Sequence, residues 1–406
     1  MKVALLGNMN NANFALLRYL KDKDINATLL LWKNDGKLSH SHFKLQNDTW
    51  DFKYWSKFVK RTNLTNAASS IIFNPLKSKN YVSKKYFLNL HSKYDVFISS
   101  GIAPAIFEKF NKKLDIFYPY AMGVEWIDTF EEKISRYFSV KKIIFDKIKR
   151  LQIKGIQNAK FVINPELGKT EETLKKIKVQ SIKLYIPIIY NENVRNYFLN
   201  EIKKIKKFNF RIISHARHLW KPSKLLTNKE NEYNSKNNDW LIYSFKNFLA
   251  ETKSNSCLIL FKYGPDYKES YKLCKKLKIQ KNVIWLPILA RKKILSLIKI
   301  CNLGIGEFYL QKNTFWGGTA IEILSQGKPT FQTFRFNNFK KIFKKKPPPF
   351  LKINNKFEIK QQLVKLYSNK NFRKKIGYNS KKWFKKEYEI SLINDWIKVI
   401  NKCFNK

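Results

Sequence analysis

Short apolar runs that stop at Gly, Ser, Asn or Pro alternate along this chain with longer stretches whose apolar residues recur at helical spacing. That is the pattern of parallel strands joined by crossover helices. The runs KVALLG (2–7), ATLLLW (27–32), YDVFISS (94–100) and KFVIN (160–164) read as one series of strands. FRIISH (210–215), CLILFKYG (257–264), NVIWLP (282–287), LGIGE (303–307) and KPTFQ (328–332) read as a second. Each series can close its own sheet, so the expected fold is α/β with two doubly wound, Rossmann-like domains. The join falls in 186–209, where Pro187 is expected to end a strand before a lysine-rich segment. A boundary near residue 200 gives domains 1–200 and 201–380. In the remainder, 381–406, Trp383, Phe384, Tyr388, Ile393, Trp396, Ile397 and Ile400 follow helical spacing. This terminal helix either packs on its own domain or crosses back to the first. KKIFKKKPPPF at 340–350 reads as a solvated loop.

Length supports the two-domain reading, since 406 residues exceed one ordinary core. A hydrophobic fraction of 44% with 15% aromatics excludes a mostly disordered chain. The formal charge of +50 could mark an anionic partner. Yet arginine occurs only at 18, 61, 136, 150, 195, 211, 217, 291, 335 and 373, and lysines are spread over nearly every segment beside Asn and Ile. A chain-wide lysine preference and a face for peripheral contact with anionic membrane are the two readings. Nucleic acid is not an expected partner, because no arginine cluster or aromatic–basic repeat appears. Cys257, Cys274, Cys301 and Cys403 lack paired spacing and complete no zinc pattern with the histidines, so they read as reduced, buried thiols. MKVALLG is too short an apolar run for a signal peptide, and no run reaches the 18 apolar residues of a membrane span. The expected location is cytoplasmic, with peripheral contact at the inner face of the plasma membrane as its extension.

The chemistry concentrates in NTFWGGTAIEILSQGKPTF, 313–331. Gly317, Gly318 and Thr319 open a short helix that Gly327 and Pro329 stop. Free amides at a glycine-lined helix start can hold a phosphate. Glu322, one turn inside, suits a hydroxyl pair such as a ribose, and a solvated acid on a tight turn is the bland alternative. ISHARHLW (213–220) follows a strand and carries His215, Arg217 and His218 where parallel sheets bind ligands. KNNDWLIYSFKNFL (236–249) brings Lys236, then a helix with Asn238 or Asp239 as N-cap. Arg217 and Lys236 converging on one pyrophosphate would stabilise a leaving diphosphate, with Lys221 as an alternative to Lys236. In the first half, GNMNNANFALLRYL (7–20) offers asparagines for sugar hydroxyls or for helix capping. Gly123 and Glu125 in YAMGVEW are a further candidate loop, and His40 and His42 either assist an acceptor or decorate a polar loop. Asp22 and Asp24 form a D-x-D that reads as an acidic turn rather than a metal site.

SHARHLW, KNNDWLI, LILFKYGPD (258–266), NVIWLPILARKKILSLIKICNLGIGEF (282–308) and GGTAIEILSQGKPTF, in that order, resemble the donor-binding half of retaining GT-B glycosyltransferases, close to glycosyltransferase family 4 and its group-1 relatives. The match spans roughly 208–335 and reaches the first half only through architecture. The resemblance implies two Rossmann-like domains facing across a cleft. It implies transfer of a hexose from a nucleotide-diphosphate sugar to a hydroxyl of a saccharide or lipid-linked acceptor, with no metal or other cofactor. Arg217 and Lys236 would hold the donor diphosphate, Gly317, Gly318 and Thr319 would offer it amides, and Glu322 would bind the ribose. In many such enzymes a further glutamate, eight residues before the last, contacts the donor sugar; here that position is Thr314, and Glu307 is out of register unless an insertion intervenes. A GT-B shell without catalysis, acting as a membrane-peripheral scaffold, is the alternative that this departure permits. The segment 221–235 is an insert without a reading.

Overall fold

The computed structural model describes residues 1–33, 35, 44–67, 82–120, 124–127, 140–166, 169–197, 200–223, 231, 235–309 and 317–404. His40, His42, Gly123 and Thr314 lie outside them, as does most of the 221–235 insert. The chain divides into two compact units, Met1–Tyr190 with Glu389–Lys406, and Asn191–Tyr388.

The first unit is built on β1 (Lys2–Leu6), β2 (Asn26–Leu31), β3 (Val59–Arg61), β4 (Val96–Ser99), β5 (Ile116–Phe117), β6 (Phe161–Asn164) and β7 (Ile182–Lys183). All described pairings are parallel, in the order β3-β2-β1-β4-β5-β6-β7. β1 and β4 are apolar almost throughout because helices cover both faces of the sheet, so alternation would expose nothing polar to water. The helix Leu392–Phe404 belongs to this unit and buries Trp396, whose Nε1 donates to Tyr185 O at 3.1 Å and whose ring meets Tyr118 edge-on at 6.0 Å.

The second unit carries β8 (Phe210–Ser214), β9 (Ser256–Phe261), β10 (Val283–Leu286), β11 (Leu303–Ile305), β12 (Thr330–Gln332) and β13 (Leu351–Lys352), parallel in the order β10-β9-β8-β11-β12-β13. Each unit thus reverses strand order once, between β1 and β4 and between β8 and β11, and the carboxyl ends at such a reversal are where open α/β sheets bind ligands. The two-sheet, GT-B-like architecture expected from the sequence is the one observed.

Several local expectations change. The strand expected to end at Pro187 ends at Lys183. Residues 340–350 are not all loop: Phe336–Phe343 is a helix, because Phe339 and Phe343, four apart, bury one side of it beneath the lysines. The helix after Lys236 starts at Asn238, so its capping position is Asn237, in the left-handed region at φ 46°. The asparagines of 7–20 serve the fold: Asn8 Oδ1 accepts from Phe14 N at 3.0 Å, Asn8 Nδ2 donates to Asn11 Oδ1 at 2.7 Å, and Asn13 Nδ2 donates to Gly7 O at 2.8 Å. Asp22 accepts from the Tyr190 hydroxyl at 3.2 Å on a turn that Asp24 continues. None of the four cysteines is in a disulfide, and all four are buried. Among the described residues no helix is long and apolar enough to cross a membrane.

Candidate donor site

The residues singled out from the sequence gather at the carboxyl ends of β8 and β11. Ser214, His215 and Ala216 leave β8 buried, Arg217 emerges exposed, and His218 turns back into the interior. This loop is clamped against the segment after β9. His218 N donates to Tyr263 O at 2.9 Å, Asp266 N donates to His218 O at 3.2 Å, and Asp266 Oδ2 accepts from Trp220 N at 2.7 Å and Lys221 N at 2.9 Å. Gly264 makes the clamp possible. Its φ is +104°, and a β-carbon there would press into the His218 backbone and lie 2.7 Å from Arg217 Cγ. The His218 ring is locked by Ser270 Oγ at 2.8 Å from Nδ1 and lies 5.4 Å from the Trp285 ring, and burial pushes its pKa down to about 4 despite nearby Asp266. Arg217 makes no hydrogen bond or ion pair among the described residues, so its guanidinium is available to a ligand.

Lys236 is held differently. Its backbone N donates to Leu219 O at 2.7 Å, tying it to the arginine loop, and its ammonium pairs with Glu307, the two side chains being 12% and 6% exposed. Glu307 stands two residues past β11. Asn237 Nδ2 donates to Phe308 O at 2.5 Å, Leu219 N donates to Asn238 Oδ1 at 2.9 Å, and Gln332 Oε1 accepts from Glu307 N at 2.8 Å. The loops carrying Arg217, Lys236 and Glu307 are therefore stitched into one frame by backbone and amide bonds.

The expected short helix runs Gly318–Ser325 with Gly317 as cap and Gly327, at φ +65°, behind its end. Gly317 abuts the Glu307 carboxylate, which a β-carbon there would strike. Among the described residues the buried Thr319 hydroxyl has no hydrogen-bond partner. Glu322 is buried rather than solvated, with Oε2 2.6 Å from His215 Nε2 and Oε1 2.8 Å from Arg291 Nε. Lys236 and Gly317 thus meet through Glu307, while Glu322 meets the arginine loop through His215. No hydrogen bond or ion pair joins Arg217 itself to Glu322, Gly317 or Gly318 among the described residues.

Arg291 and Glu307 carry no role in the sequence reading, and each left a signal there. Arg291 is one of ten arginines in a chain where lysine is the habitual cation, and the planar fork is what a buried carboxylate requires. Glu307 closes LGIGE, an acid at the carboxyl end of a predicted strand.

Two parallel doubly wound sheets make a GT-B-like fold, and the family match of the second unit marks a glycosyltransferase, an enzyme of class EC 2.4. Residues 214–383 match the family model of Glycosyl transferases group 1, so the second unit carries a group 1 glycosyltransferase domain. Among solved structures, Anabaena HepE in complex with UDP-glucose is 13% identical with a TM-score of 0.61, covering 99% of this chain and 100% of its own. A glycosyltransferase from Rickettsia africae is 14% identical at 0.56 over 99% and 98%, and WaaG, a glycosyltransferase involved in lipopolysaccharide biosynthesis, is 12% identical at 0.52 over 98% and 99%. No curated protein matches by sequence.

Proposed function

We propose that the protein transfers a hexose from a UDP-sugar to a hydroxyl of a saccharide or lipid-linked acceptor, with retained anomeric configuration, in the synthesis of a cell-surface polysaccharide or glycolipid. The observation that carries this reading is the unpaired, exposed Arg217 on a loop fastened to the one bearing Lys236, whose ion-pair partner abuts the glycine entrance of Gly318–Ser325. The UDP-glucose complex of HepE supports the choice of donor.

In this reading the bond between the anomeric carbon and the diphosphate oxygen breaks while the acceptor oxygen bonds to the same face of that carbon. The acceptor proton leaves with the diphosphate, and no protein nucleophile is needed. Arg217 and Lys236 offset the charge that grows on the departing diphosphate. Amides of Gly317, Gly318 and Thr319, with the Thr319 hydroxyl, add donors at the helix start. Glu322, held between His215 and Arg291, is the carboxylate placed to accept from a ribose hydroxyl pair. A cytoplasmic location with peripheral contact to anionic membrane fits a lipid-linked acceptor and the lysine excess.

Titration calorimetry with UDP and a panel of UDP-sugars tests this directly. Binding heat with UDP, and donor consumption that UDP inhibits, are expected; an absence of heat with every nucleotide would instead indicate a scaffold that has lost the reaction.

A further inference from the structure

Lys236 presents a difficulty for any anion that is to bind beside it. Its ammonium is almost fully withdrawn from water and already neutralised by Glu307, a carboxylate buried to the same degree. The pair is not an accident of two mobile side chains. Asn237 and Phe308, the residues next to each partner in the chain, are joined by a 2.5 Å hydrogen bond, Trp240 stacks on Phe308 at 6.3 Å, and Gln332 fixes the Glu307 amide. The carboxylate also lies directly against Gly317, at the entrance where the helix amides converge. A negative group beside a cation and a helix start is electrostatically what a phosphate would be in that position.

We propose that Glu307 is the internal counter-anion of the donor site, a positioning residue that holds Lys236 and the Gly317 entrance in the geometry of the occupied state and gives up Lys236 to the incoming diphosphate. The proposal rests on the donor reading above. A buried ammonium without an anion is costly, and the frame would not keep Lys236 in place if it stood alone. With Glu307 present the cation is preorganised, and the diphosphate must compete with a carboxylate for it. Affinity for the donor is therefore held down, and so is affinity for the UDP left after transfer, which has to leave before the next turnover.

The test uses the full chain and UDP as the probe, titrated calorimetrically at low and high salt. Glu307→Gln keeps the size and an acceptor for Lys236 but removes the charge. It is expected to tighten UDP binding by about tenfold at low salt, the scale of one like charge a few ångströms from the ligand. The gain should vanish when Lys236 is also replaced by Met, and Glu307→Asp should keep the wild-type affinity. A purely structural glutamate would not produce a gain in affinity, nor one that depends on Lys236. Wild-type heat with unchanged or weaker UDP binding in Glu307→Gln overturns the counter-anion while leaving the donor reading intact. No heat in any variant overturns the donor reading and the proposal with it.

Discussion

A carboxylate as buried as Glu322 persists only because both its oxygens are met, by His215 and by Arg291. Arg217 stands exposed and unmet among the described residues, so the two residues answer substitution differently although both are assigned to donor binding. Glu322→Ala leaves Arg291 buried without its anion and should cost about 3 kcal/mol of stability. Arg217→Ala should change stability by less than about 0.5 kcal/mol. Donor turnover should be lost in both. Urea unfolding run beside donor consumption separates them: an Arg217→Ala chain that unfolds as easily as Glu322→Ala would mean that the arginine holds the fold rather than the ligand. Thr319 offers the converse test. Its buried hydroxyl has no partner among the described residues, a cost of about 1–3 kcal/mol that a ligand bond would offset. Thr319→Val should therefore raise stability of the free protein while weakening UDP binding, and a variant that leaves UDP affinity unchanged removes Thr319 from the site.

Elements as well as side chains shape this site, and Gly264 is where two of them touch. Any β-carbon at 264 must adopt a left-handed φ and press on the His218 backbone. Gly264→Ala should cost about 1–3 kcal/mol and, because the arginine loop must shift, weaken UDP binding as well. Unchanged UDP affinity in a destabilised variant would show that the clamp serves the fold alone. The clamp residues stood in the sequence as LILFKYGPD, quoted for its order in the chain; that Asp266 would tie down two amides of the arginine loop depends on tertiary approach. Strands of four or more residues were legible, β1, β2, β4, β6, β8 and β9 among them, because burial on both faces writes a mostly apolar run. β3, β5 and β13, of two or three residues, were not, since so short a run has no period of its own; β11 and β12, as short, were marked by their flanking glycines and proline in LGIGE and KPTFQ. Phe336–Phe343 was hidden by its lysines. Glu307 was named in the sequence only as an acid out of register unless an insertion intervenes, because counting eight back from Glu322 fixes a position along the chain, whereas the carboxylate reaches Gly317 through space.

At the scale of the whole molecule, each unit contains a buried group that titrates against its surroundings, and the two have opposite signs. In the first unit Glu125 is buried on a turn whose residues Val124, Glu125 and Trp126 all have positive φ. Its carboxylate accepts from Tyr120 N at 2.6 Å and from the Gly101 amide, but burial outweighs both and pushes its pKa up to about 7. The folded chain then keeps a proton that the unfolded chain has released, so the stability Glu125 contributes is present below about pH 4.5 and is lost as pH rises toward 7 and beyond. In the second unit His218, pushed down to about 4, stays neutral where the unfolded chain is protonated, and stability is lost as pH falls from 6.5 to 4. Each shift of about 2.5 pKa units corresponds to about 3 kcal/mol. Asp35, raised to about 6 by burial, adds to the slope of Glu125, whereas His91, lowered by burial, opposes it; in the second unit the raised Asp239 opposes His218. Between pH 4.5 and 6.5 the slopes of Glu125 and His218 largely cancel in any signal that averages over the chain. Hydrogen exchange, corrected for intrinsic rates and read unit by unit, separates them. Glu125→Gln should flatten the pH-dependent loss of protection in Met1–Tyr190 and leave Asn191–Tyr388 as it was. The stability gained by the substitution should be about 3 kcal/mol greater at pH 8 than at pH 4.5. A Glu125→Gln chain with the same slope as the wild type would mean that the carboxylate is ionised in the fold, and that the strained turn serves to present a charge rather than to shelter a proton.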